Sequence, residues 1–471
     1  MQRWHITAGL AASAVLAAVL VPTLTADRAT PPPPPAPTLE PVVAAVTTPA
    51  PVAAPGLLSL SAELDQGALL QGSGQDRYLV IEVAAPDLPG DERRPVHLAV
   101  VMDTSGSMAG RGKITNARMA AKELASLMGP EDTLSLVTFS SGATVHLPTQ
   151  TVTDPARVSR IVDSIRPEGG TNLYDGLTAG MAQLDRPDLG GVKRVVVLSD
   201  GKVTMGVSDH DTLVREAGAG VGAGISVSAL GLGLDYDEDL LGAMSDAGGG
   251  SYRFVDRPGQ LAQLFAEELQ QMGAVAGREA MVDVTLPSGV TLQELYGYDA
   301  HVRADGFGIF LGDVHGGETR KIVARVRVAP SATGTLEVAD VGLKYADAES
   351  GALASAHADV DALVTADTRV ATRSRNNQVL AKATEARSAK LLDESARAWE
   401  KGDMAMNQAK LAEAEGLLRS VGGLSGNAGL LDFADDYAEQ REAFQAAPAA
   451  SADGYYQVKK AKEASRVQSR R

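Results

Sequence analysis

Between residues 95 and 272, short apolar, β-branched runs alternate with helical patterns, and no other feature limits the fold of this chain as severely. The runs at 96–102, 195–198 and 225–230 are apolar almost throughout, as strands buried on both faces are. Helical spacing occupies 113–127, 156–165, 173–184, 211–218, 240–247 and 261–272, while 134–139 and 143–146 read as a hairpin. Such alternation predicts an α/β unit over 95–272, a doubly wound, mostly parallel sheet with helices on both faces. Ligands of such sheets bind outside the carboxyl ends of the strands.

Chemistry-bearing residues gather at those strand ends. Asp103-Thr104-Ser105-Gly106-Ser107 follows the run 96–102 and offers oxygen side chains on alternate residues. Thr171, after Gly169-Gly170, precedes a helical pattern, and Asp200 ends the run beginning at Val195. Two carboxylates and three hydroxyls on three loops, without nitrogen or sulfur, suit a hard cation: Mg²⁺, with Mn²⁺ or Ca²⁺ as alternatives. Taken singly, Asp103 or Asp200 would more often be an Asx-turn or a helix N-cap.

With its D-x-S-x-S spacing, its Gly-Gly-Thr loop and its Leu-Ser-Asp-Gly strand end, the chain resembles the von Willebrand factor type A (VWA) domain. That family's metal-ion-dependent adhesion site uses D-x-S-x-S, a distant Thr and a more distant Asp, matched here by Asp103, Ser105, Ser107, Thr171 and Asp200. The resemblance implies that the hydroxyls bind the ion directly and that the aspartates often act through water. It also implies an open coordination position for an Asp or Glu of a partner protein. The likeness covers roughly 95–272. In overall arrangement the chain resembles bacterial exported VWA proteins and, more distantly, inter-alpha-trypsin inhibitor heavy chains, although its N-terminal β portion is shorter than theirs.

The flanks differ in character. Residues 1–26 carry Arg3 and then an uncharged Ala/Val/Leu-rich run, which reads as a signal peptide or an uncleaved membrane anchor. Residues 27–56, with consecutive prolines from Pro31 to Pro35, form a Pro/Ala-rich spacer of polyproline type. Residues 57–94 and 278–364 read as two parts of one β-sandwich into which the α/β unit is inserted. Residues 365–425 read as a helical hairpin, with one tetratricopeptide-like turn, and 426–471 as a C-terminal tail that is basic from Tyr455.

Composition excludes several classes. A net charge of −16 leaves no broad basic footprint for nucleic acid. The absence of cysteine removes disulfides and thiolate metal sites. Gly106 to Lys113 is one residue too long for a phosphate loop and has Ile114 where Ser or Thr is required. Asp235, Asp237 and Asp239 imitate an EF-hand start, but Leu240 stands where Gly is needed, so helix capping is the better account. No H-E-x-x-H or G-x-S-x-G motif occurs. The expectation is a non-enzymatic binding protein, exported to the cell envelope and touching membrane only through its N-terminal segment. An envelope assembly factor working with an ATPase partner is the alternative.

Overall fold

The computed structural model describes residues 57–72, 74–88, 94–348, 350–448 and 450–470. The expected signal or anchor at 1–26 and the spacer at 27–56 lie outside them. Three strands come first: β1 (Ser59–Leu64), β2 (Ala68–Leu70) and β3 (Gln75–Ala84). The α/β unit follows as β4 (Val96–Asp103), α1 (Lys113–Leu127), β5 (Thr133–Phe139), β6 (Ala143–Thr151), α2 (Pro155–Ser164) and α3 (Leu173–Leu184). It continues with β7 (Val192–Ser199), α4 (His210–Ala219), β8 (Ile225–Leu232), α5 (Glu238–Ala247), β9 (Gly249–Val255) and α6 (Leu261–Gly273).

Its sheet has the order β6-β5-β4-β7-β8-β9, all neighbours parallel except the β5–β6 hairpin. Side-chain alternation explains why both faces need cover. On β4, Leu98, Val100 and Met102 pack with α1, α2 and α6, whereas Ala99 and Val101 pack with α3, α4 and α5. Gly180 of α3 allows the closest of these approaches, since a Cβ there would lie 2.4 Å from Val101 Cγ2.

The chain then becomes β-rich: β10 (Val275–Thr285), β11 (Val290–Tyr296), β12 (His301–Arg303), β13 (Gly306–His315), β14 (Thr319–Val328), β15 (Gly334–Asp347) and β16 (Leu353–Thr365). One sheet runs β1-β3-β14-β11 and the other β12-β13-β10-β15-β16-β2. The N-terminal strands therefore enter both layers, β3 along the whole of β14 and β2 parallel to β16. One apolar core, including Leu60, Leu79, Ile81, Val282, Phe307, Ile322 and Val341, fills the space between the sheets.

Helices α7 (Thr368–Arg373), α8 (Asn377–Glu400), α9 (Met404–Ser425), α10 (Ala428–Ala446) and α11 (Ala452–Arg470) complete the fold. This corrects the reading of 426–471 as a tail: the segment is two helices, and α11 is half of a helix–helix contact with α8. Four of its basic residues are partnered. Lys459 and Lys462 bond Glu238 at 2.6 and 3.0 Å, and Arg466 and Arg470 bond Asp246 at 2.5 Å, so α11 is fastened to α5 of the α/β unit. A second tie lies inside. Arg194 of β7, 1% exposed, bonds Glu268 of α6 and Asp313 of β13, each at 3.2 Å. Beside it the backbones of β9 and β13 nearly touch, since a Cβ on Gly312 would lie 2.5 Å from Gly249 Cα.

Candidate metal centre

The strand order places a topological switch point between β4 and β7, because connections leave these adjacent parallel strands toward opposite edges of the sheet. Asp103 is the last residue of β4, and Asp200 directly follows β7. Both carboxylates thus stand side by side at the carboxyl edge, and both are fully buried. Residues 104–107 turn away from β4 into a short 3₁₀ turn at Gly106–Ala109. The Thr171 loop folds over the same edge, held by Gly106 N–H donating to Gly169 O at 3.2 Å and Glu168 N–H donating to Thr104 O at 2.7 Å.

The structure brings all of the predicted residues together. Asp103 Oδ1 accepts the Ser105 backbone N–H at 2.8 Å, and its Oδ2 accepts the Ser199 hydroxyl at 2.8 Å. Ser107 Oγ donates to Asp200 Oδ1 at 2.7 Å and lies 2.9 Å from Ser105 Oγ. A Cβ on Gly201 would lie 3.5 Å from Ser107 Oγ and 3.6 Å from Thr171 Oγ1, so glycine leaves open the point where these hydroxyls meet. The Thr171 hydroxyl bonds to none of the described residues, whereas its backbone is fixed by Thr204 and Met205. Ser107 is exposed, with the aspartates buried beneath it.

This donor set fits a hard divalent cation. It is all oxygen, it carries two carboxylates, and its hydroxyls converge in front of those carboxylates. Burial is costly for the charge of Asp103. Desolvation pushes Asp103 up to about 6, against the lowering effect of hydrogen bonds from Ser105 and Ser199, and the charge of Asp200 adds to the rise.

Sequence reasoning missed two members of this neighbourhood. Ser199 orients Asp103, and Lys113 holds Asp200 Oδ2 at 2.6 Å with only 8% of its side chain exposed. Lys113 had a signal in the sequence, but only as the lysine of a failed phosphate loop. The acidic run at 235–239 behaves as capping predicts, Asp237 accepting Leu240 N–H at 3.0 Å at the start of α5. A separate group of possible ligands, Asp340, His357 and Asp359, sits on the open face of β15 and β16. These three pair with one another, His357 lying 3.3 and 2.9 Å from the two carboxylates.

Residues 98–202 match the von Willebrand factor type A domain family. The chain is 24% identical over 256 residues to the uncharacterized protein YfbK of Escherichia coli (strain K12), covering 52% of this chain and 44% of that protein. It is 34% identical over 124 residues to inter-alpha-trypsin inhibitor heavy chain H3 of Rattus norvegicus, covering 24% of this chain and 14% of that protein. Its matches thus span about half, or less, of the length of these curated relatives. A solved von Willebrand factor type A structure from Catenulispora acidiphila shares the fold with a TM-score of 0.63 at 21% identity, covering 80% of this chain and 89% of that one. Proteins with such domains commonly mediate protein interactions, and the domains often bind divalent metals. The family match falls on the strands and loops that carry Asp103, Thr171 and Asp200, and residues 98–202 are a von Willebrand factor type A domain.

Proposed function

We propose that the chain is a non-enzymatic, metal-dependent binding protein of the cell envelope, which captures an Asp or Glu of a protein partner. Ser105, Ser107 and Thr171 would hold a divalent cation, Mg²⁺ above all, with Asp103 and Asp200 behind them. Bound there, the ion supplies a Lewis-acidic coordination position. The observation that carries this reading is the convergence of three hydroxyls in front of two buried carboxylates at the sheet's switch point.

What the residues do is electrostatic. Ser199 and the Ser105 backbone bond both oxygens of Asp103, which keeps its charge behind the hydroxyl layer. An adhesive role is favoured over a hydrolytic one by the site's hydrogen bonds: its serine hydroxyls bond to one another and to Asp200, and among the described residues no imidazole bonds to them. The envelope assignment rests on the export-type segment at 1–26. Among the described residues no helix is long and apolar enough to cross a membrane.

The test is a pull-down from envelope extracts with the full chain, with and without EDTA. Capture should vanish on chelation and return with Mg²⁺ or Mn²⁺. Partner capture indifferent to EDTA would sink the metal-bridge reading.

A further inference from the structure

Lys113 is the first residue of α1 and its side chain is almost wholly buried. Both facts run against ordinary preference. A helix N-terminus carries partial positive charge and disfavours a cation, and a buried ammonium is costly unless it is paired. Among the described residues its single carboxylate partner is Asp200, at 2.6 Å. The loop after β8 closes over it, a Cβ on Gly233 lying 3.5 Å from Lys113 Cε and 3.7 Å from Nζ. The turn leading into it is strained, with Arg111 at φ 51° and Gly112 at φ 72°. The chain therefore accepts several local costs to place one fixed positive charge on one carboxylate of the proposed metal centre.

From this placement we infer that Lys113 is a tethered counter-cation that sets the charge of the centre, weakening its hold on the divalent ion while making the loaded site demand an anionic ligand. The charge count shows how. Asp103 and Asp200 bring two negative charges and Lys113 one positive, which leaves −1. A divalent ion takes this to +1 instead of to zero. In surroundings poor in water that surplus charge is strongly felt. A carboxylate neutralises it, whereas a neutral oxygen donor does not. Lys113 is thus a positioning and specificity residue for the proposed function, and the inference rests on that reading.

The experiment uses the full chain and Mn²⁺ alone as probe, with free Mn²⁺ measured by electron paramagnetic resonance. Lys113→Met keeps length and apolar packing, and Lys113→Gln is a second neutral variant should the first fold poorly. Lys113→Arg keeps the charge, and Thr171→Ala marks binding at this centre. Expected is a Kd for Mn²⁺ roughly tenfold or more lower in the neutral variants than in wild type, with Lys113→Arg near wild type. If wild type binds Mn²⁺ and the neutral variants bind it no more tightly, the counter-cation role is overturned while the metal centre stands. Mn²⁺ binding by the neutral variants alone would support the role of Lys113 and remove the metal-bridge reading of the natural chain. Binding by none of them would remove both.

Discussion

At the scale of single residues, the centre divides into groups that hold structure and groups free to act. Thr171 is among the latter: its backbone is held by Thr204 and Met205, while its hydroxyl bonds to none of the described residues. Thr171→Ala should therefore lower divalent-ion affinity by at least the roughly 10- to 100-fold that loss of an outer-sphere partner costs. Its effect on unfolding free energy should stay within about 1 kcal/mol, checked by urea denaturation with EDTA present. Asp103 is the opposite case, a fully buried carboxyl that burial disfavours in its charged form. Its folded pKa of about 6 lies above the unfolded 3.8, so without an ion the folded state binds its proton more tightly. The sign follows: stability from this group is fully present below about 4 and is lost as pH rises through 6. Asp103→Asn should remove that slope and exceed wild type at pH 7 in EDTA, on the order of 2–3 kcal/mol. Saturating Mg²⁺ should reverse the order. Equal pH slopes in EDTA for the two proteins would show that Asp103 is not strained by burial.

At the scale of elements, α11 is the segment whose role changed most between sequence and structure. Its Gly454 lies against Trp399 of α8 so closely that a Cβ would stand 1.8 Å from Cζ2. Gly454→Ala should cost about 1–3 kcal/mol by overpacking, read as a lowered midpoint of thermal unfolding. The other contact of α11 is electrostatic. Burial alone would raise Glu238, but Lys459 and Lys462 outweigh it and bring its carboxyl to about 2, below the usual 4.5. That stabilisation is present above 4.5 and is lost as pH falls toward 2. Hydrogen-exchange protection across 452–470, relative to the intrinsic rate at each pH, should fall over this window, and Glu238→Gln should show lower protection already at pH 7. Exchange that is equally slow in both proteins would mean that helix packing, not the ion pairs, holds α11 down. The strand β16 teaches a related lesson. Residues 353–365 alternate without a break, exposed and buried, but the inward positions are mostly Ala. Ala is a poor strand former, so the period of two, and not residue propensity, is what marks this strand.

At the scale of the whole molecule, the sandwich, the α/β unit and the C-terminal helices are tied by ion pairs, several of them buried. The sandwich depends on chain from both sides of the α/β unit, β3 pairing along β14 from Gln75↔Val328 to Ala84↔Thr319. A fragment of residues 94–364 would leave that edge of β14 open, together with the edge of β16 that β2 covers. It should aggregate in size-exclusion chromatography, whereas a chain beginning at Pro55 should run as a single species. A monodisperse 94–364 fragment would show that the sandwich does not need its N-terminal strands. Arg194 is the other joint, and Arg194→Leu would leave Glu268 and Asp313 buried without it. A loss of roughly 3–5 kcal/mol is expected.

The sequence by itself determined the local elements that periodicity encodes: the buried runs of β4, β7 and β8, the helices between them, and the strand-end placement of Asp103 and Asp200. These follow from side-chain direction, which repeats every two residues in a strand and every 3.6 in a helix. The five candidate ligand residues were legible for the same reason, since each lies next to a recognisable strand end or glycine turn. Only the tertiary structure decided what sits beside them. Lys113 is 87 residues from Asp200, and the basic face of α11 is more than two hundred from the acidic residues of α5. Such pairs leave no periodic trace in the sequence, because the fold brings them together through strand order and helix docking. The switch point is of the same kind: β4 and β7 are neighbours because hydrogen bonding between distant strands made them so.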